Sequence, residues 1–147
     1  MMRHKIGFIA FTVGVFLAGF FLRSALPAGP VAHAQAAHRV FEIRTYTAPD
    51  GKLPELQARF RNYTMRIFER HGMTNIGYWV PQDVPMSQNT LVYVLAHRNR
   101  ETAKQSWTAF GKDPEWRKVA EESQVNGRLT SKVESLFVDP TDFSPLK

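Results

Sequence analysis

The spacing of apolar residues changes along this chain from a period of two to a period of three or four, in a definite order. Side chains alternate with a two-residue period along Arg39–Thr47, and the segment is rich in residues that favour β-structure, which predicts a strand. Lys52–His71 repeats its apolar residues at helical spacing, which predicts an amphipathic helix. The predicted apolar stripe consists of Leu53, Leu56, Phe60, Tyr63 and Ile67. A sheet that packs on helices is therefore expected.

The same change of period occurs a second time. Two further strands are predicted at Met73–Val80 and Thr90–His97, and the almost wholly apolar sequence of the latter indicates a central strand. Asn99–Lys112 is predicted to be a helix with Asn99 as its cap, and Asp113 caps a shorter one that has proline at its first position. Leu129–Val138 is the last predicted strand. The order β-α-β-β-α-β predicts an α+β fold of the ferredoxin-like type.

Helices can cover only one side of such a sheet. The other side carries several apolar residues, including candidates from the third strand. An exposed apolar sheet face is usually an interface or a ligand site. Pairing of two such sheets about a twofold axis would bury this face, so we expect a homodimer that forms a dimeric α+β barrel.

Polar side chains of the first strand are the first candidates for a site. Glu42, Arg44 and Tyr46 are expected on the face away from the helices, opposite Lys132 and Glu134 of the last strand. Arg44, Tyr46 and Glu134 would then project into the barrel interior. They would either bind a ligand there or form a neutralised charge network that fixes the strand register.

The tryptophans are the second group of candidates. Counting from Met73, Trp79 shares a strand face with Asn75 and Gly77, and the glycine leaves room for a ligand or for the dimer partner. Trp79 is therefore a ligand-binding candidate in the barrel interior. Trp107 and Trp116 lie on helix faces and are expected in the core.

No residue pattern identifies a catalytic group, a metal site or a cofactor. His71 is expected to interact with the dipole at a helix C-terminus, and His97 is expected at the surface. The chain has no cysteine and no metal-binding motif, so neither a metal nor a cofactor is predicted. The serines lack the context of a nucleophile elbow, and no glycine-rich phosphate loop occurs.

The N-terminal segment has the order of a secretory signal. Basic residues at 3–5 precede the uncharged stretch Ile6–Leu22, and small residues follow that would allow cleavage after Ala34 or Ala36. Residues 1–36 would then be a signal peptide and 37–147 the domain. The alternative is an uncleaved anchor formed by residues 6–22, since 17 apolar residues are at the short end for a span. Both alternatives place the domain outside the cytoplasm, periplasmic or extracellular, and only the anchor places it at a membrane.

The net charge of +6 is divided between the two parts of the chain. Three of the 19 basic residues and none of the 13 acidic ones lie before residue 37, so residues 37–147 carry only +3. Their charges are interspersed, whereas phosphate binding needs a concentrated basic face. Nucleic acid is therefore excluded as the main partner.

Several segments in order resemble the NIPSNAP family. They are Phe41–Thr47, Gly51–Leu53, Ile67–Gly72, Gly77–Trp79, Asn89–His97, Asp113–Trp116 and Lys132–Ser135. The resemblance covers about residues 39–145 and implies a dimeric α+β barrel of ferredoxin-like subunits. The family is poorly characterised biochemically, and its animal members resemble mitochondrial proteins linked to vesicle transport and damage signalling. The wider superfamily includes haem-degrading and cofactor-free monooxygenases, which is an analogy of fold.

Two hypotheses for function follow. The first is an exported, non-enzymatic dimeric module that binds an amphipathic small molecule or a partner protein. The alternative is a small monooxygenase-like or isomerase-like enzyme that uses the barrel interior. The sequence favours the first, because the polar candidates Arg44, Tyr46 and Glu134 are expected to neutralise one another, but it leaves the question of catalysis open.

Overall fold

The structure, a computed structural model, describes residues 39–147. The predicted signal peptide or anchor at residues 1–36 lies outside the described residues, and so do its two predicted cleavage positions. Within residues 39–147, no helix combines the length and the apolar character that a membrane crossing requires.

Four strands form a single antiparallel sheet. They are β1 (Val40–Thr47), β2 (Thr74–Trp79), β3 (Thr90–His97) and β4 (Lys132–Val138). Their spatial order is β2-β3-β1-β4, which places β3 in the centre as its apolar sequence predicted. This is the ferredoxin-like arrangement, so the predicted α+β fold class is confirmed. β4 begins at Lys132, later than predicted, and the preceding Leu129 is fully buried in the core.

The first helical region is continuous but not uniform. It consists of α1 (Leu53–Arg59), a π-helical turn (Phe60–Thr64) and α2 (Met65–Arg70). A π-helical turn contains an extra residue, which rotates the residues after it relative to a regular α-helix. Thr64 therefore occupies a buried position, while Tyr63 is 43 % exposed. The prediction that Tyr63 belongs to the buried stripe is wrong for this reason.

Of the three remaining helices in residues 39–147, the last two have the predicted caps, and the first, a single short turn, was not predicted. They are α3 (Met86–Asn89) in the β2–β3 connection, α4 (Arg100–Lys112) and α5 (Pro114–Glu122). The Asn99 side chain accepts a hydrogen bond from the backbone N–H of Thr102 at the start of α4. Asp113 accepts two from the first turn of α5. Because these side chains satisfy N–H groups that have no helical partner, they fix where each helix begins.

The helices pack on one face of the sheet, which we call the covered face. Leu91, Tyr93 and Leu95 of β3 lie on it and contribute to the core. The core residues that the helices supply are Leu53, Leu56, Phe60, Ile67, Phe68 and Phe110. The opposite face, which we call the open face, carries Leu136, which is 61 % exposed, and Trp79, which is 52 % exposed.

The orientation of β1 is opposite to the prediction. Residues that are paired across antiparallel strands share a face, and Arg44 is paired with Tyr93 of the core. Glu42 and Tyr46, at two-residue spacing from Arg44, lie on the covered face as well. Ile43 therefore lies on the open face. The prediction assumed that polar side chains of β1 would face away from the core. In the structure these side chains form an ionic network on the covered face.

A β-bulge in β2 changes the surroundings of Trp79. The register with β3 shifts between Asn75 and Gly77. Asn75 consequently lies on the covered face, where its side-chain N–H donates to the backbone oxygen of Met65 at 3.0 Å. Trp79 and Gly77 stay together on the open face, but the indole ring fills the space above the glycine, since a Cβ atom there would be 2.4 Å from the ring. The space that the glycine was predicted to leave is occupied by Trp79 itself.

An ionic cluster joins the end of α2 to the start of α5. Nε2 of His71 lies 2.7 Å from Oδ2 of Asp113, and Arg70 donates to the same oxygen at 2.8 Å. Arg66 and Arg70 both bind Glu115. The pKa of Asp113 is lowered, mainly by its hydrogen bond with His71 and to a smaller extent by the backbone N–H of Trp116 in α5 and by Arg70. His71 therefore has a definite partner across the fold, in addition to its predicted place at the C-terminus of a helix.

Candidate functional site

A buried carboxylate organises the covered face beneath α4. The side chain of Glu42 is 1 % exposed and accepts four hydrogen bonds. The donors are Arg44 at 2.5 Å, Trp107 and Ser135 at 2.7 Å each, and His97 at 2.9 Å. Burial acts to raise the pKa of Glu42, but these hydrogen bonds outweigh it and lower the pKa to about 2. The carboxylate is therefore ionised at neutral pH and fixes the side chains around it.

His97 belongs to this network and is not at the surface. The residue is 2 % exposed, and its ring centre lies 5.9 Å from that of Phe137. Its Nε2 donates to Glu42, while no hydrogen-bond partner of its Nδ1 occurs among the described residues. The prediction of a surface position was wrong because the imidazole lies on the covered face beneath α4, where the ring of Phe137 reaches it across β1. The sequence held no local signal of this, because Glu42 is 55 residues away and meets His97 only through the pairing of β1 with β3.

Arg44 is fixed between three groups. Its guanidinium donates to Glu42, lies 4.2 Å above the centre of the Trp107 ring, and approaches the hydroxyl of Tyr46 at 3.4 Å. A cation above an indole ring is a favourable arrangement, particularly when water is largely excluded. Because Glu42 neutralises the charge of Arg44, this pair forms a fixed polar group with little net charge.

Two depressions on the covered face lie on either side of Arg44 and follow β4. The first, which we call the outer groove, has a volume of about 720 Å³ and is lined by Arg44, Trp107, Ser135 and Phe137, among others. The second, which we call the inner cavity, measures about 170 Å³ and reaches β4 at Val133. Val133 is 47 % exposed, so the helices leave this edge strand partly uncovered. We call the outer groove and the inner cavity together the β4 cleft.

Five of the eleven residues that line the inner cavity are aromatic. They are Tyr46, Phe60, Phe68, Phe110 and Trp116. Ring centres within this group lie 4.4 to 6.1 Å apart, as in the contacts of Phe110 with Trp116 and of Phe60 with Phe68. Such spacings are those of attractive aromatic pairs, so the walls are well packed. The cavity therefore has a defined shape, and it combines aromatic rings with the polar side chains of Arg59, Thr64, Gln124 and Thr130.

One charged side chain lines the inner cavity. Arg59 is 7 % exposed, and its Nη1 donates to the hydroxyl of Ser123 over a long 3.4 Å. Its Nε has no hydrogen-bond partner among the described residues, and its guanidinium carbon lies 5.2 Å from the centre of the Trp116 ring. Burial lowers the pKa of Arg59, although an arginine so placed still carries its charge at neutral pH. The π-helical turn begins directly after Arg59.

The four predicted ligand-binding residues fall into two separate pairs. Arg44 and Tyr46 border the β4 cleft on the covered face. Trp79 and Glu134 lie on the open face, where Glu134 binds Lys132 at 2.8 Å. The sheet thus separates residues that were expected together, and a ligand role for each stays a prediction.

Sequence reasoning missed Arg59. The available signal was its position three residues after Leu56, which puts a charged residue on the apolar stripe of the helix. Trp116 was assigned to the core, and it also lines the inner cavity. Within residues 39–147, no three side chains of the His, Asp and Glu types are grouped as a metal site requires.

Comparison with known proteins gives the family and the fold. The family model described as NIPSNAP matches residues 41–145. A crystal structure of a NIPSNAP family protein with unknown function from Agrobacterium tumefaciens has a TM-score of 0.65 at 22% identity, over 76% of this chain and 96% of that one. An uncharacterized NIPSNAP-like domain protein from Burkholderia xenovorans gives 0.64 at 20% identity, over 74% and 90%.

A more distant structure has the same fold. It is SnoaB, a cofactor-independent oxygenase from Streptomyces nogalater, with a TM-score of 0.50 at 13% identity over 74% of this chain and 98% of that one. All three identities are low, so these structures support the fold alone. A comparison with curated protein sequences finds no match.

Proposed function

This chain belongs to the NIPSNAP family, and from that premise we propose that its domain is a non-enzymatic module that binds an amphipathic small molecule in the β4 cleft. One observation carries the proposal. An aromatic-lined cavity and a polar groove lie next to each other on the covered face beside the partly uncovered edge strand, because Tyr46 lines the cavity and its neighbour Arg44 lines the groove. An apolar body would contact the aromatic walls of the inner cavity, and polar atoms of the ligand would meet the polar side chains of the cleft.

The composition of the cleft supports this proposal. Ligand sites are mostly apolar concave surfaces with a few fixed polar groups. Here the fixed groups are Arg44, held by Glu42 and Trp107, and Ser135, which donates to the same carboxylate. The inner cavity is smaller than the roughly 300 Å³ at which drug-sized sites begin. A ligand that occupies the inner cavity alone is therefore small.

Filling the inner cavity is expected to abolish binding. Ala120 of α5 lines the cavity, so the phenyl ring of Ala120→Phe would occupy it. The probe is N-phenyl-1-naphthylamine, a neutral and largely apolar dye with one N–H group, whose phenyl ring would enter the inner cavity and whose fluorescence rises in apolar surroundings. We expect the dye to bind the wild-type protein and Ala120→Phe to weaken its binding at least about tenfold.

The matched control is Ala109→Phe, which adds the same ring at an exposed position of α4. It should bind the dye as the wild type does. Equal dye binding by Ala120→Phe and Ala109→Phe, with both variants folded by circular dichroism, would contradict the proposal. Failure of the wild-type protein to bind the dye would contradict it as well.

The alternative is an oxygenase-like or isomerase-like enzyme in the same cleft. The observation that favours it is the hydroxyl of Tyr46 beside the guanidinium of Arg44, since a phenol next to a cation is suited to moving a proton. The two functions differ in the fate of the ligand. A binding module releases its ligand with unchanged mass after incubation in air, whereas an enzyme releases a product of different mass.

The same proposal includes a homodimer that pairs the open faces of two sheets. Ile43, Val94 and Leu136 are aligned across three strands of that face, and Trp79 lies at its β2 side. Such an alignment forms an apolar strip that a second copy would cover. The proposal leaves the β4 cleft, which is on the covered face, available to a ligand.

We also propose that the domain acts outside the cytoplasm. The support is the order of basic, apolar and small residues in the first 36 positions. N-terminal sequencing of the protein from the producing cells should give Gln35 or Ala37 as the first residue, depending on the cleavage position. Retention of Met1 in a membrane fraction would indicate an anchor, and Met1 in the cytoplasmic fraction would contradict export.

A further inference from the structure

We propose that the inner cavity is an anion site, in which Arg59 binds the carboxylate of a small arylalkyl acid. This inference rests on the proposed function, because it names the chemical class of the ligand in the β4 cleft. It assigns a binding role to Arg59, which the sequence reasoning did not consider.

The first argument is the missing counter-charge of Arg59. It is the one arginine among residues 39–147 with less than a tenth of its surface exposed. The part of the chain that the structure describes places no carboxylate oxygen within 4.0 Å of its guanidinium, whereas Arg44 has Glu42. A buried charge is costly unless a partner neutralises it. An anionic ligand would supply that partner.

The second argument is the surroundings of the guanidinium. Glu55 and Glu122 line a surface groove on the other side of Arg59, but both are exposed and neither forms an ion pair with it. Trp116, which lines the inner cavity, lies beneath the guanidinium, whereas Ser123, which accepts from Nη1, lines the surface groove. The Nε atom has no partner among the described residues. Nε and an Nη atom of one arginine together match the two oxygens of a carboxylate.

The third argument is the π-helical turn that follows Arg59. Phe60 and Thr64, its first and last residues, both line the inner cavity. The Thr64 hydroxyl donates to the backbone oxygen of Arg59 at 3.3 Å, across the widened turn. π-helical turns are less stable than α-helical ones and occur frequently at functional sites. The π-helical turn therefore forms the wall of the inner cavity beside Arg59.

The remaining walls determine the class of acid. Phe110 and Trp116 are aromatic, Val133 lies on the β4 side, and Gln124 and Thr130 add two polar side chains. A flat apolar group joined to the carboxylate by a short linker would contact these side chains while its oxygens reach Arg59. A cavity of about 170 Å³ accommodates one small ring. Phenylacetate has this composition and is the probe.

The experiment compares phenylacetate with phenylacetamide, a neutral molecule of nearly the same shape. Titrations of the full chain are followed by NMR through the indole N–H of Trp116. The indole N–H of Trp79, on the opposite face of the sheet, is the internal control and should not shift. We expect phenylacetate to bind at least about tenfold more tightly than phenylacetamide, because hydrogen bonds to a charged partner are the stronger ones.

Arg59→Met should reduce phenylacetate binding to the level of phenylacetamide and leave the amide unaffected. Arg59→Lys, which keeps the charge, should retain a preference for the acid. The control Arg61→Met removes a positive charge from an exposed position two residues away and should change neither affinity. If Arg59→Met does not fold, the wild-type comparison of acid with amide decides the question together with Arg59→Lys.

Each result has one meaning. Equal binding of acid and amide by the wild type would overturn the anion site and leave the β4 cleft as a site for neutral ligands. A preference for the acid that persists in Arg59→Met would overturn the role of Arg59. Failure of the acid to bind would overturn the anion site, and failure of the neutral dye in the separate test would overturn the proposed function.

Discussion

Replacing Glu42 with glutamine is expected to lower the free energy of unfolding by about 3 kcal/mol. The carboxylate is buried and accepts hydrogen bonds from four side chains, three of which belong to other elements of the fold. Glutamine has the same shape, but it lacks the charge and places an N–H₂ group against donors. Arg44 would then be a largely buried cation without a counter-ion, and breaking a buried ion pair from one side is costly.

The measurement is urea unfolding, followed by tryptophan fluorescence. Glu134→Gln is the matched control, because it removes the same charge from an exposed side chain on the neighbouring strand. That change should alter the free energy of unfolding by no more than about 0.5 kcal/mol. The loss expected for Glu42→Gln is a large part of the roughly 5 to 15 kcal/mol of a typical domain.

The effect should also depend on pH. The pKa of Glu42 is lowered from 4.5 to about 2 in the folded protein, so its contribution is fully present above about pH 4.5 and is lost as the pH falls toward 2. The stability difference between wild type and Glu42→Gln should therefore shrink between pH 5 and pH 3. A difference that stays constant over this range would show that lost packing, and not the charge network, causes the destabilisation.

Replacing Leu136 with arginine is expected to dissociate the proposed homodimer. Leu136 is 61 % exposed on the open face and lies beside Ile43 in the sheet register. Because the side chain is largely in solvent in the single subunit, the substitution leaves the fold of that subunit intact. In a dimer it would bury an arginine against an apolar surface, which should weaken association roughly 100-fold or more.

Sedimentation equilibrium at micromolar concentration measures this effect. Val125→Arg is the control, since Val125 is 77 % exposed but lies in the connection between α5 and β4, away from the open face. It should sediment as the wild type does. A wild-type protein that is monomeric at these concentrations would remove the argument for a barrel, and a Leu136→Arg dimer would place the interface elsewhere.

The order of elements was predictable because it depends on local signals. The caps Asn99 and Asp113 mark the helix starts that the structure has, and the apolar sequence of Thr90–His97 indicated the centre of the sheet. These features reflect the chemistry of a few neighbouring residues. The family resemblance is consistent with the same order.

The orientation of β1 was not predictable in this way. Both of its faces contain residues that a strand can bury, and the choice depends on whether Glu42 meets enough donors. Those donors, His97, Trp107 and Ser135, are 55 to 93 residues away in sequence. The cavity was missed for a related reason, since regular helical spacing contains no indication of a π-helical turn at Phe60–Thr64.

That turn has a consequence for the comparison of relatives. In length, a π-helical turn is equivalent to one residue inserted into an α-helix. A homologue with one residue fewer between Arg59 and Ile67 would keep the whole fold and restore an unbroken helix, but it would move the arginine out of phase with the residues that follow. A single-residue gap at this point in an alignment would therefore divide the family into proteins that have the inner cavity and proteins that lack it.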